Sequence, residues 1–436
     1  MGGAGLVVFY GAGPGRPAAA RWLPTFTQPV AGGAFDKYRA PLIVPPAMPR
    51  TARMPQRGGR PVDYYEIAVR QFTQQVLPPG EPTTTVWSYG SPAHPGSFNY
   101  PAFTIESKWR SPVRVRWIND LKDPVSGNFL PHLLPVDPTL HWANPPGGVD
   151  GRDSHPMFVE TPGPYAGPVP IVTHLHGGVD VPQESDGFAE AWYLPDATNI
   201  PPGYARTGSY YEPFRSSSHV GETWRPGDAV FQYPNDQQAS TLWYHDHTLG
   251  MTRLNVYAGP AGFYLLRGGP SDAVGGVLPG PAPKLGDPPG TRYYEIPLAI
   301  QDRSFNDDGS LFYPDSREFF DEFSGPYIPT SDIAPIWNPE FFGNTMVVNG
   351  RTWPYLEVER RRYRFRVLNG CNSRFLILRL SNGLSIWQIG TEGGFLRAPV
   401  EVNELLLAPA ERADVIVDFS SLAPGTEVVL ENLAPD

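Results

Sequence analysis

Two histidine pairs constrain the fold of this 436-residue chain more than any other feature. His174 and His176 form the first His-x-His pair, and His245 and His247 form the second. Alternate residues of an extended strand share one face and lie about 6.6 Å apart, so both rings of a pair would point the same way. The residues before each pair are apolar, β-branched or aromatic, which favours strands. Two such strands side by side would present four imidazole nitrogens at one place.

The spacing of the histidines carries this signal. Nine histidines placed at random in the chain would give about 0.2 His-x-His pairs, whereas the sequence contains two. Imidazole binds copper, zinc, iron and nickel, so the pairs alone leave the metal open. The remaining histidines stand alone, and we expect them to be solvated rather than to bind metal: His94, His132, His141, His155 and His219.

The composition favours an all-β chain. Its 53 prolines and 46 glycines provide many turns, while 40% hydrophobic and 13% aromatic residues are too many for a disordered chain. Many short strands joined by turns, as in a β-sandwich, satisfy both observations. The net charge of −10 argues against nucleic acid or anionic membranes as partners. The sequence contains no run of 18 apolar residues, so it predicts no transmembrane helix.

The single cysteine, Cys371, excludes an internal disulfide bond, and we expect it to be a small buried thiol. Cysteine usage therefore does not reveal the compartment. The first residues lack the basic region of a signal peptide, so we infer no export signal and leave the localisation open.

The residues around the two pairs resemble a known family. His174-Leu-His176-Gly-Gly-Val is followed by Glu-Ser-Asp186-Gly-Phe, and Trp243-Tyr-His245-Asp-His247 precedes Met-Thr-Arg-Leu-Asn-Val-Tyr-Ala-Gly. This pattern resembles the multicopper oxidases, and within them the branch of bacterial spore-coat laccase, bilirubin oxidase and phenoxazinone synthase. The likeness covers residues 60–436, with further motifs at 300–313, 348–359 and 407–419.

The resemblance implies an all-β fold of two cupredoxin-like Greek-key β-sandwich domains in tandem. Strand-like alternation of apolar and polar residues at 62–267 and again at 292–436 agrees with this fold. Residues 268–291 are rich in proline and glycine and are expected to form a linker. Residues 1–61 are expected to form a mobile arm with at most a docked segment near 35–44. A third cupredoxin domain is expected to be absent from this chain.

The resemblance also implies a chemistry. In the family, a type 1 copper takes electrons from a small organic donor, and a three-copper cluster uses them to reduce O2 to water. By likeness His174 corresponds to a type 2 copper ligand, and His176, His245 and His247 correspond to type 3 ligands. Asp186 corresponds to an acidic residue that helps to deliver protons; the alternative is an aspartate that bonds its own turn.

One departure from the family is large. No histidine follows His247, and no cysteine is flanked by histidines. A type 1 site needs two histidines, a cysteine thiolate and a weak axial ligand. We therefore expect half of a three-copper site, no type 1 copper and little activity from this chain alone. The missing ligands would come from a third domain or an associated partner.

Two other functions remain open on the sequence. One is a non-catalytic cupredoxin scaffold or interaction protein, which would have no use for four paired histidines. The other is a four-histidine mononuclear site for zinc or copper. Metal analysis combined with spectroscopy would separate this mononuclear site from the other two functions.

Overall fold

The computed structural model describes residues 4–10, 29–56, 59–159, 162–272, 277–315, 318–321 and 340–434. Within these ranges every helix is too short or too polar to span a membrane. The α-helices are α1 (Gly148–Gly151), α2 (Tyr211–Ser217), α3 (Thr252–Ala258) and α4 (Glu318–Asp321). Single 3-10 turns occupy Gly32–Ala34, Pro95–Ser97, Pro145–Gly147, Gln183–Ser185, Ala189–Ala191 and Pro270–Asp272.

Most of the regular structure is strand. The strands up to residue 267 are β1 (Ala4–Tyr10), β2 (Ala52–Met54), β3 (Val62–Gln74), β4 (Thr84–Gly90), β5 (Ala102–Lys108), β6 (Val113–Asn119), β7 (Thr173–His176), β8 (Asp228–Tyr233), β9 (Ser240–Asp246) and β10 (Ala261–Arg267). Apolar side chains at every second position drive their packing; in β6, for example, Val113, Val115 and Trp117 are all buried.

The remaining strands follow residue 294. They are β11 (Glu295–Phe305), β12 (Leu311–Phe312), β13 (Thr345–Val348), β14 (Arg351–Thr352), β15 (Tyr355–Val358), β16 (Arg362–Asn369), β17 (Leu376–Leu380), β18 (Ile386–Thr391), β19 (Gly394–Val402), β20 (Leu405–Leu407), β21 (Arg412–Asp418) and β22 (Glu427–Asn432).

The two halves of the chain repeat one strand plan. In the first half β3 pairs with β4 antiparallel and with β6 parallel, and β6 pairs with β8 antiparallel. In the second half β11, β13, β16 and β21 are paired in the same way. The facing sheets also correspond, because β5-β10-β9-β7 matches β1-β22-β17-β20. The predicted all-β class, with two β-sandwiches in tandem, is confirmed.

The two sandwiches are joined by a shared interface. A small apolar cluster brings Trp243 of β9 and Phe263 of β10 against Ala299 of β11 and Leu368 of β16. Polar bonds cross the same interface, since the Arg366 side chain donates to Thr241 Oγ1 at 3.0 Å. Burial of both apolar and charged groups across this contact fixes the second sandwich against the sheet that carries the histidine pairs.

The N-terminal segment differs from expectation. We expected residues 1–61 to form a mobile arm, but β1 pairs parallel with β22 and antiparallel with β15. Met48 is buried and its backbone N–H donates to Thr104 O at 2.7 Å. The sequence offers little periodicity here because each segment adds to a sheet formed by distant residues. Residues 1–3 and 11–28 lie outside the described part, and the boundaries at 62, 268 and 292 remain predictions.

Candidate metal centre

The two histidine pairs lie on neighbouring antiparallel strands, β7 and β9. His174 is paired with His245, and His176 is paired with Trp243. Directly paired residues project on the same side of a sheet, so these four side chains share one face. His247 follows the last residue of β9, and its ring centroid lies 4.9 Å from that of His174. All four predicted imidazoles are therefore neighbours.

The rings are close enough to share ligands. Ring centroids are 5.6 Å apart for His174 and His245, and 5.5 Å apart for His176 and His245. The Nδ1 atom of His176 lies 3.3 Å from the Nε2 atom of His245. If both nitrogens carried lone pairs, they would repel each other at this separation. A proton or a metal ion between or beside them removes the repulsion, and such close nitrogens are typical of a cluster of metal ligands.

Backbone carbonyls fix the orientation of two rings. His174 Nδ1 donates to the carbonyl oxygen of Asp186 at 2.5 Å, and His245 Nδ1 donates to that of Asp246 at 2.7 Å. Each bond places the proton on Nδ1 and leaves Nε2 as the metal-binding atom. His247 Nδ1 is buried without a hydrogen bond of normal geometry in the described part of the chain, although the Gly187 backbone lies near the ring. These nitrogens are available as metal ligands.

Three of the four rings have pKa values below the ordinary value of histidine. Burial, followed by the charge of Arg412, lowers the pKa of His176 to about 4. Burial also lowers the pKa of His245, well below its ordinary value, and that of His247. A buried imidazolium costs free energy, and neighbouring rings that share a site raise this cost. Since imidazole binds metal only when it is unprotonated, His176, His245 and His247 are prepared for metal near pH 7.

The four rings do not surround one point. No group of three or more His, Cys, Asp or Glu side chains in the described ranges converges at a position that could hold a single ion.

Asp186 lies beside the cluster, as expected. Its carboxylate Oδ1 is 3.5 Å from His174 Nδ1, and its side chain is partly exposed. No hydrogen bond of this carboxylate to its own turn occurs among the described contacts, so the turn-bonding alternative is not favoured. The loop passes close to β7 at Gly187, which has φ +78°. A Cβ at this position would lie 2.2 Å from Thr173 O. Only glycine tolerates this close approach.

A cleft of about 400 Å³ opens in front of the histidines. His176, His245 and His247 line one side, and residues 369–372 and 409–410 of the second sandwich line the other. Trp243 also lines it and stacks on His245 with ring centroids 4.1 Å apart. The histidines therefore face a space between the two sandwiches rather than the protein interior.

The sequence analysis did not identify two residues that lie next to the histidines, Trp243 and Arg412. Trp243 is two residues before His245 and so shares its face, a signal that was present in the pattern. Arg412 of β21 donates through Nε to Thr241 O at 3.0 Å, and a Cβ on Gly177 would lie 2.6 Å from its Nη2 atom. Its position next to a strand 171 residues earlier could not be read from the sequence.

The isolated histidines divide into two groups. The side chains of four are exposed, as expected: His94, His141, His155 and His219. The expectation was wrong for His132, whose two ring nitrogens are both hydrogen-bonded and whose pKa is lowered to about 3 because the ring is enclosed. Cys371 is buried and lines the cleft, and burial raises the pKa of its thiol well above the ordinary value.

Comparison with known proteins gives the family. The tandem sandwiches define a multidomain protein of the cupredoxin fold. No protein-family model matches the chain. The chain is 40% identical over 374 residues to a laccase of Bacillus stratosphericus and 37% identical over 374 residues to a laccase of Bacillus subtilis (strain 168). Each alignment covers 85% of this chain. The chain belongs to the multicopper oxidase family, whose cofactor is copper.

Solved structures support the fold. A multi-copper oxidase from Pediococcus acidilactici matches with a TM-score of 0.59 and 21% identity, over 92% of this chain and 60% of that one. McoA multicopper oxidase from Aquifex aeolicus matches with a TM-score of 0.53 and 23% identity, over 88% of this chain and 58% of that one. The chain spans 58% and 57% of the length of the two Bacillus relatives.

Proposed function

We propose that this chain carries half of the three-copper site of a laccase-like multicopper oxidase. The complete enzyme would couple one-electron oxidation of small phenolic or related donors to the reduction of O2 to water. The observation that carries the proposal is that the four imidazoles of two His-x-His strands lie next to one another, and that His176, His245 and His247 line the cleft between the sandwiches. A scaffold protein would gain nothing from holding four partly or fully buried imidazoles next to one another.

The metal assignment follows the resemblance. His174 would hold a type 2 copper, while His176, His245 and His247 would hold type 3 coppers. Copper at such positions supplies electrons to O2. The chain's own residues orient the ligands, because the Asp186 and Asp246 carbonyls accept the Nδ1 protons of their ring partners.

Three further residues would support this chemistry. Asp186 is a carboxylate at the edge of the cluster and open to solvent, so it can take a proton from water and hold it near His174. Trp243 covers His245 and excludes water from one side of its ring. Arg412 places a positive charge near His176 and, after burial, is the next cause of the lowered pKa of that imidazole.

The site needs ligands from beyond these pairs. The sequence has no histidine after His247, and its one cysteine has no histidine beside it in the sequence. The proposal therefore predicts that the chain alone binds copper less tightly than a complete cluster and oxidises phenols slowly. A third domain or a partner chain that brings further histidines and a cysteine would restore blue colour and O2 consumption.

Copper titration of the purified chain tests the proposal. We expect the double substitution His245→Ala with His247→Ala to remove most of the binding. The matched control replaces His155 and His219, which are exposed and do not line the cleft, with alanine. Equal copper binding by the wild type and the cluster variant would contradict the proposal, as would rapid phenol oxidation by the chain alone in an oxygen electrode.

A further inference from the structure

A buried network of hydrogen bonds lies behind the histidine cluster. Asp246 separates the two histidines of the second pair, so its side chain leaves β9 on the opposite face. Its carboxylate accepts bonds from the backbone N–H groups of Val172 at 3.1 Å and Thr248 at 3.0 Å. It also accepts from Thr248 Oγ1 at 3.0 Å and from Asn255 Nδ2 at 2.8 Å. Four donors thus hold one carboxylate in a single orientation.

These bonds connect the elements that position the histidines. Val172 immediately precedes β7, Thr248 follows the second pair, and Asn255 lies in α3. Asn255 Nδ2 also donates to Pro170 O at 3.1 Å, and Thr248 Oγ1 lies 3.2 Å from the same oxygen. Asp246 therefore ties the start of one histidine strand to the end of the other and to α3. This connection adds to the direct pairing of β7 with β9.

His132 forms the outer end of the network. Its Nδ1 atom accepts the Leu134 N–H at 2.9 Å, so the ring proton is on Nε2 and is donated to Asn255 Oδ1 at 3.0 Å. The imidazole packs edge-on against Trp87, with ring centroids 4.6 Å apart. Asn255 itself is fully buried. Among the described residues, His132 is the only side-chain partner of the Asn255 Oδ1 atom, whereas Nδ2 donates to Asp246 and to Pro170 O.

We propose that His132 is a positioning residue for the histidine cluster, acting through Asn255 and Asp246. The proposal rests on the copper function argued above. Without a donor for Oδ1, the buried Asn255 amide can rotate by half a turn about its last side-chain bond. Its oxygen would then face the Asp246 carboxylate, and the two would repel each other. The hydrogen bond from the His132 N–H to Oδ1 prevents this rotation. Asp246 keeps its fourth donor, and the backbone around both histidine pairs keeps its spacing.

The substitution His132→Phe separates packing from hydrogen bonding. Phenylalanine retains an aromatic ring against Trp87 but cannot accept from Leu134 or donate to Asn255. Residues that orient metal ligands through hydrogen bonds typically change metal affinity by about 10–100-fold when they are replaced. We expect copper affinity to fall about tenfold and the copper hyperfine splitting in the electron paramagnetic resonance spectrum to change. His132→Gln, which offers an amide donor and acceptor, should recover part of both.

A matched control and a metal-free measurement complete the test. His219→Phe makes the same change at an exposed histidine and should leave affinity and spectrum unchanged. In the metal-free chain, His132→Phe should speed the hydrogen exchange of the Val172 and Thr248 amides, which both donate to Asp246. If His132→Phe does not fold, Asn255→Ser removes the same link to Asp246 with a smaller side chain.

The outcomes are distinct. Wild-type copper affinity and spectrum in His132→Phe would overturn the positioning role, whether or not amide exchange became faster. Failure of the wild-type chain to bind copper would overturn the proposed function and, with it, this inference. Loss of copper affinity in His132→Phe with recovery in His132→Gln would support the inference. Glutamine replaces the hydrogen bonds of His132, whereas a general loss of stability would not be corrected by these bonds.

Discussion

Glu295 lies at the centre of a buried charge network that joins the two sandwiches, and its removal is the most quantitative test of that contact. Arg267 of β10 bonds Glu106 on β5 and also donates to Glu295 at the start of β11, at 2.9 Å. Arg366 donates to the same carboxylate at 3.0 Å, and Arg364 lies 3.7 Å away. We predict that Glu295→Gln destabilises the chain because it leaves buried guanidinium groups without their carboxylate.

The magnitude follows from the pKa of Glu295. Burial alone would raise it, but Arg366, Arg267 and Arg364 together lower the pKa from 4.5 to about 2. A lowered pKa in the folded state means that the stabilisation is complete above the unfolded pKa and is lost as the pH falls towards 2. This lowering of the pKa corresponds to about 3 kcal/mol of unfolding free energy at pH 7, of which roughly half remains at pH 3.

Urea unfolding of the wild type and Glu295→Gln at pH 7 and pH 3 measures this difference. We expect a loss of about 3 kcal/mol at pH 7 and a clearly smaller loss at pH 3. Glu404→Gln is the control, because Glu404 is exposed. A loss below about 1 kcal/mol at pH 7, or a loss that is the same at both pH values, would refute the reasoning.

Three further predictions concern the metal centre. Copper binding should persist below pH 6.5 and fall towards the His176 pKa of about 4, because protonation of a ligand competes with metal; a titration midpoint above pH 6.5 would contradict this. Trp243→Leu removes the ring stacked on His245 and should lower copper affinity about tenfold in a competition titration. Gly187→Ala should lower the unfolding free energy by at least about 2 kcal/mol, through strain and contact with Thr173 O. Gly203→Ala, at φ +85° with no atom near its Cβ, should cost only about 1 kcal/mol.

The sequence predicted the part of the site that is carried by local periodicity. His-x-His on a strand places both rings on one face whatever surrounds it, so the convergence of His174, His176, His245 and His247 followed from the pattern once β7 and β9 were neighbours. The all-β class followed in the same way from alternation and turn residues. Asp186 was placed near the cluster only through the resemblance.

Residues that act through long-range packing escaped prediction. His132 stands alone in a turn-rich segment, and its partner Asn255 is 123 residues away. Arg412 reaches Thr241 across the sandwich interface, and no local pattern distinguishes it from a solvated arginine. The pairing of β1 with β22 likewise joins the two ends of the chain. Such contacts are set by the final topology and leave no periodic trace in the sequence.

The central claim is that the four paired histidines bind copper at the cleft. Diffraction data collected on both sides of the copper absorption edge, from crystals of the copper-loaded chain, test it most directly. The proposal predicts anomalous density at the cleft beside His176, His245 and His247, with a further position near His174. Anomalous density confined to exposed histidines such as His155, or a cleft without copper in a copper-loaded crystal, would contradict it.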